Sequence, residues 1–134
     1  QEMDRFDGIL VEPMVDGVEL IVGGQIDYQF GPVVLVGIGG TGVEIYQDAA
    51  MRMAPLAERD VHSMVKSLKG GHLLKGYRGA EPIDLDALVR LVTAFSALLL
   101  EIEDRIESVD LNPVKCWRRH CIAADARIIL KSES

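Results

Sequence analysis

Val33-Val34-Leu35-Val36-Gly37-Ile38-Gly39-Gly40-Thr41-Gly42-Val43-Glu44-Ile45-Tyr46 is the stretch on which the fold turns. An apolar, β-branched run leading into Gly-x-Gly-x-x-Gly has the outline of a dinucleotide-binding turn. That chemistry requires a helix opening at the third glycine, with its N-terminus on the pyrophosphate, and then a second parallel strand ending in an acid. Here Val43-Glu44-Ile45-Tyr46 alternates like a strand, Pro55 cuts the segment short, and an amphipathic helix follows where the second strand would have to lie. The context speaks against a parallel nucleotide-binding sheet. Two readings of the glycines stay open: a connection between strands that needs positive φ, or a nest of main-chain N–H groups at Gly39, Gly40 and Thr41 turned towards a phosphate.

Outward from that stretch the pattern is antiparallel. Ile9–Val15 and Val18–Ile26 are apolar and β-branched and are joined by Asp16-Gly17, a tight-turn signal. With Gly31–Ile38, which follows the turn-rich Asp27-Tyr28-Gln29, they predict a three-stranded meander. Val43–Met53 predicts one or two further strands. Val61, Met64, Val65 and Leu68 recur at helical spacing behind Glu58 and Asp60, which predicts a helix over Ala57–Leu68 that Lys69-Gly70-Gly71 stops. Leu73–Pro82, with Gly76 and Gly79 around Tyr77 and Arg78, reads as an irregular surface segment. Asp84 caps a long helix over Leu85–Asp104, whose stripe is Leu88, Leu91, Val92, Phe95, Leu98, Leu99 and Ile102. Ile106–Leu111 and Ile122–Leu130 close the chain as two strands. Strands and helices do not alternate, so the expected fold is α+β: a largely antiparallel sheet with two main helices on one face.

The 134 residues are expected to form one domain, 1–134, with a single core. Apolar residues at 49% and charged residues at 26% exclude a disordered chain. A formal charge of −7 argues against a nucleic-acid partner, and an anionic ligand would need local help from a cation or main-chain N–H groups. No apolar run reaches membrane-spanning length, and Gln1-Glu2-Met3-Asp4 is no signal peptide, so the chain reads as cytoplasmic with no membrane partner. Starting at Gln1 and entering a strand within a few residues, it reads as an excised piece of a longer protein.

Asp110-Leu111-Asn112-Pro113 ends one apolar run in an acid and an amide, and Ala123-Ala124-Asp125-Ala126 sets a lone carboxylate inside the next. If the two runs pair as neighbours, Asn112 and Asp125 present two hard oxygen donors to one point. Such a pair, with the other positions left to water and phosphate, suits Mg²⁺ held for a nucleotide. The plainer alternatives are an Asx-type turn at Asn112 and a strand-end acid at Asp110. Cys116-Trp117-Arg118-Arg119-His120-Cys121 lacks the spacing and partner pair of a zinc site. A cross-hairpin disulfide there is conceivable, but a reducing cytoplasm predicts thiols. His62, His72 and His120 have no acid or nucleophile at a telling spacing.

A series of words along the chain adds a resemblance. Gly8-Ile9-Leu10-Val11-Glu12-Pro13-Met14-Val15, Val18-Glu19-Leu20-Ile21-Val22-Gly23, Phe30-Gly31-Pro32-Val33-Val34, Arg52-Met53-Ala54-Pro55-Leu56, Gly76-Tyr77-Arg78-Gly79, Asp110-Leu111-Asn112-Pro113 and Ala124-Asp125-Ala126-Arg127 resemble the ATP-grasp region of NDP-forming acyl-CoA synthetases, relatives of the succinyl-CoA synthetase β subunit. The order is the family's, and nearly the whole chain is covered. The resemblance implies the second subdomain of an ATP-grasp module. In it the main chain of Glu12, Pro13, Met14 and Val15 meets the adenine edge, Glu19 accepts from the ribose hydroxyls, and Asn112 and Asp125 hold Mg²⁺, with Asp110 in support. Gly39, Gly40, Thr41 and Arg52 become phosphate candidates, and Arg78 and Arg127 receive no role.

The implied reaction is acyl-CoA + ADP + phosphate ⇌ acid + CoA + ATP, through a phosphohistidine on another domain; no histidine of this chain matches that motif. The implied partners are the nucleotide, the first ATP-grasp subdomain, and the CoA-binding and ligase domains of a parent protein. On this basis the polypeptide alone is expected to be inactive and to bind nucleotide weakly. The alternatives are a regulatory synthetase-like region fused to a protein acetyltransferase and a non-catalytic interaction module.

Overall fold

Apolar alternation at period two builds the sheet from its centre outward. The computed structural model describes residues 18–39, 48–74 and 82–132, and of 72 and 73 the backbone alone. Strand β1 (Val18–Asp27) is buried on both faces from Leu20 to Gly24, as a central strand must be. Asp27 Oδ1 then accepts from the N–H groups of Gln29 (2.8 Å) and Phe30 (2.9 Å), and Gly31 at φ 83 completes the reversal. Strand β2 (Gly31–Ile38) runs back, burying Pro32, Val34 and Val36 on one face. Strand β3 (Ala49–Met53) pairs with β2 and stops short of Pro55.

The helices cover one face of this sheet. Helix α1 (Glu58–Ser67) opens at Ala57, whose N–H donates to Asp60 Oδ2 at 2.7 Å, and buries Val61, Met64 and Val65. Asp48 takes the N–H groups of Lys69 (2.6 Å) and Gly70 (2.8 Å) beyond its end. The chain then regains one turn, α2 (Gly71–Leu74), where irregular backbone was expected to follow the glycines. Helix α3 (Leu85–Ile102) is capped by Asp84, whose Oδ1 accepts from Ala87 N–H at 2.9 Å, and ends two residues before the expected Asp104. Its one buried polar side chain, Ser96, accepts from Leu56 N–H (3.1 Å) and donates to Thr93 C=O (3.0 Å), so nothing polar is left stranded there. Where α3 crosses β1 the backbone must come close: a Cβ on Gly24 would run into Leu99 Cδ1.

Strand β4 (Ile106–Cys116) returns beside β1, and β5 (Cys121–Ala123) and β6 (Ala126–Leu130) share its far edge. The order is β3-β2-β1-β4, with β5 and β6 on β4, and among the described residues every pairing is antiparallel. This is the expected α+β class, with four local corrections. Both edges of β1 are occupied: β2 takes one, as the expected meander has it, and β4 takes the other, where Ile9–Val15 was expected; Ile9–Val15 itself lies outside the described residues. Strand β4 continues through Asn112-Pro113 to Cys116, where a stop at Leu111 was expected. The single strand expected over Ile122–Leu130 is two strands, broken at Ala124-Asp125. Finally, the β4–β5 register sets Cys116 opposite Cys121, and the two are joined as a disulfide, where thiols were expected. Among the described residues no helix is long and apolar enough to cross a membrane.

Candidate functional site

Residues alternate across a strand, so the positions between the core residues share the face away from the helices. On that face Ile21, Gly23 and Gln25 of β1, Val33 and Leu35 of β2, Met51 of β3, and Ser108, Asp110 and Asn112 of β4 line a groove of about 230 Å³. Its floor is open because Gly23 has no side chain: a Cβ there would meet Asp110 Oδ1 at 3.0 Å. The Asp110 carboxylate therefore lies over the β1 backbone.

The β1–β4 ladder is irregular at one point. Leu20 pairs with Val114 and Val22 with Leu111, so Asn112 and Pro113 together oppose Ile21 in a bulge. Pro113 has no N–H to give the ladder, and a bulge is where a strand tolerates that. On the other edge of β4, Asn112 N–H donates to Asp125 C=O at 3.2 Å and Ala124 N–H to Pro113 C=O at 2.9 Å. Asn112 and Asp125 thus stand opposite each other at the gap between β5 and β6. Asp125 Oδ1 accepts from Ala126 N–H at 2.9 Å, which orients an exposed carboxylate.

An amide oxygen and a carboxylate are hard donors of the kind Mg²⁺ takes when phosphate and water complete its shell. Among the described residues no group of three or more His, Cys, Asp or Glu side chains could cage a metal. Two hard oxygen donors, with the remaining positions left to phosphate and water, fit a nucleotide-borne cation. The hairpin that carries Asn112 and Asp125 is docked on the start of α3, where Asp84 N–H donates to Trp117 C=O at 2.6 Å and Trp117 N–H to His120 C=O at 2.7 Å.

Other expected residues fall in different places. Glu19 is on β1 directly opposite Lys115 of β4, and Lys115 Nζ lies 3.4 Å from Glu19 Oε2. Lys115 escaped the sequence reading because no motif contains it; only the register of two distant strands brings it to Glu19. Gly39 N–H donates to Glu19 C=O at 2.9 Å, so this donor extends the ladder and does not turn to an anion. Gly39 also lacks positive φ, which among the described glycines belongs to Gly31, and its close neighbour is Ile21 Cδ1, 3.4 Å from a Cβ built there.

Arg52 pairs with Val34, a core residue, and its guanidinium donates to Met51 C=O (2.8 Å) and Ser63 Oγ of α1 (3.4 Å). It is not brought to the Asn112–Asp125 corner. Arg127 sits opposite Asp110 on β6. Glu12, Pro13, Met14, Val15, Gly40, Thr41 and Arg78 lie outside the described residues. A larger concavity of about 720 Å³ lies along α1, beside Arg59, His62 and Lys66, and among the described residues none of the expected site residues lines it.

The chain matches the family model of the ATP-grasp domain over residues 1–130. It is 42% identical over 130 residues to acetate–CoA ligase [ADP-forming] I of Archaeoglobus fulgidus, covering 96% of this chain and 19% of that protein. It is 40% identical over 127 residues to the beta subunit of acetate–CoA ligase [ADP-forming] II of Pyrococcus furiosus, covering 92% of this chain and 54% of that subunit. Among solved structures, an acetyl-coenzyme A synthetase 1 from Ca. Korarchaeum cryptofilum superposes with a TM-score of 0.81 at 44% identity, covering 86% of this chain and 54% of that one. That structure is a complex with coenzyme A and Mg-AMPPCP, its phosphohistidine segment pointing towards the nucleotide binding site. The chain spans 19% and 54% of the length of these two curated relatives. A sheet of this order, matched at this identity over nearly all of its length, makes the chain a member of the ATP-grasp domain family.

Proposed function

We propose that this chain is the nucleotide- and Mg²⁺-binding part of an NDP-forming acyl-CoA synthetase, which interconverts acyl-CoA, ADP and phosphate with acid, CoA and ATP. The observation that carries this is the opposition of Asn112 and Asp125 across the β4 edge, with Asn112 lining the adjoining groove, in a chain 44% identical to a synthetase solved with Mg-AMPPCP. The Asn112 side-chain oxygen and the Asp125 carboxylate would hold Mg²⁺, which when bound neutralises charge on the phosphate oxygens. The ladder sets the two backbones opposite each other. Asp110 lies two residues from Asn112 on the same strand face, with Arg127 opposite it on β6.

Glu19 accepts from the ribose hydroxyls, and the main chain of Glu12, Pro13, Met14 and Val15 meets the adenine edge; this last assignment is supported by the resemblance alone, as are Gly40 and Thr41 at the phosphates. The remaining parts of the reaction, including the histidine that relays the phosphoryl group, belong to a parent protein in a cytoplasmic setting. The isolated chain is expected to turn nothing over. Calorimetric titration of ADP into the full-length protein tests the proposal: binding with Mg²⁺ should weaken at least about tenfold in EDTA, a 1.4 kcal/mol difference. Binding that ignores EDTA, or no binding at all, would overturn it.

A further inference from the structure

Glu19 is not a free strand carboxylate. Lys115 stands directly opposite it in the β1–β4 register, with Nζ 3.4 Å from Oε2, and the two side chains are only 24% (Lys115) and 37% (Glu19) exposed. Both backbones are held firmly. Gly39 N–H donates to Glu19 C=O at 2.9 Å, and Lys115 sits between the Val114–Ala123 and Cys116–Cys121 pairs of the β4–β5 ladder, the second closed by the disulfide. On the same face, Ile21 faces the Asn112–Pro113 bulge. Glu19 therefore lies two residues, about 7 Å along β1, from the level of the metal corner, which itself sits on β4 and its outer edge. That is the order of separation between the ribose and the outer phosphate of a nucleoside diphosphate.

Resting on the function proposed above, we infer that Lys115 is a positioning residue for the nucleotide: its ammonium holds Oε2 of Glu19 against the sheet and leaves Oε1 to accept from the ribose hydroxyls. The neighbouring side chains explain why a cation is needed. Glu19 shares this side of the sheet with Asp110 and Asp125; Arg127 stands opposite Asp110, and Lys115 is the cation opposite Glu19, without which the Glu19 carboxylate would be drawn into water. Lysine suits the task because a point charge occupies one carboxylate oxygen, whereas an arginine fork tends to take both. A side chain that acted on the phosphates would instead serve every nucleotide alike, with or without ribose hydroxyls.

The test is calorimetry on the full-length protein with Mg·ADP and with Mg·2′,3′-dideoxy-ADP. The wild type is expected to prefer ADP by about fivefold, the weight of one net hydrogen bond. Lys115→Met is expected to lose most of that preference through weaker ADP binding, while its affinity for the dideoxy ligand stays within about twofold and its thermal midpoint is unchanged, as for a part-exposed ion pair. Glu19→Gln should lose the same preference, and the double variant should lose no more than either single one, because the two side chains act as a unit. Equal weakening of both ligands would place Lys115 on the phosphates and overturn the inference. So would an unchanged preference in Lys115→Met, or additive losses in the double variant. A wild type that binds neither ligand overturns the proposed function itself, and this inference with it.

Discussion

Adjacent glycines on β1 face opposite sides of the sheet and do different work. Gly24 lies under α3, where any side chain would collide with Leu99; Gly23 floors the groove, where a Cβ would meet only the tip of Asp110 at 3.0 Å. The same division runs along the whole strand: Leu20 and Val22 are fully buried in the core, and Glu19, Ile21 and Gln25 alternate with them towards the candidate site. On the proposed function, the helix side carries stability and the other side carries binding. Substitutions on the two sides should separate these properties.

The largest effect is expected at Leu99→Ala. Leu99 has no exposed surface, and its loss should cost about 3 kcal/mol in urea unfolding, with nucleotide affinity of the folded protein unchanged. A cost below about 1 kcal/mol would mean that the helix side is not what holds the sheet. Next comes Gly24→Val, which should destabilise by about 2 kcal/mol through overpacking, part of it recovered when Leu99→Ala is added. Asp84→Ala removes the α3 cap and should cost about 1 kcal/mol in the same assay. The smallest change in stability belongs to Gly23→Ala, within about 0.5 kcal/mol, because a carboxylate tip can move aside. That variant should nevertheless weaken Mg·ADP binding measurably; if it unfolds the protein instead, the division between the faces fails.

The sequence was most legible where local chemistry decides. β2 begins and ends where alternation places it, Asp84 caps α3, and Asn112 and Asp125 come together because two apolar runs do pair. What could not be seen depends on contacts between distant segments. Local periodicity cannot show that β4 occupies the β1 edge, that Lys115 faces Glu19, or that Arg52 turns towards Ser63 and away from the groove. The Cys116–Cys121 pairing is likewise a product of register, and the compartment argument weighs against a disulfide that the geometry makes. The glycine pattern leaves open a positive-φ connection or an anion nest; at Gly39 the structure shows neither, but a ladder hydrogen bond and close packing on Ile21.

The most direct test of the division is one titration of Mg·ADP into three full-length proteins: wild type, Asp125→Ala on the candidate metal corner, and Arg52→Ala on β3 beside α1. Asp125→Ala should raise the Kd about tenfold or more, equivalent to 1.4 kcal/mol. Its urea midpoint should be nearly unchanged, since Asp125 is exposed, and Arg52→Ala should bind within about twofold of wild type. Unchanged affinity in Asp125→Ala, or an equal loss in both variants, would contradict the assignment of Asn112 and Asp125 to the metal.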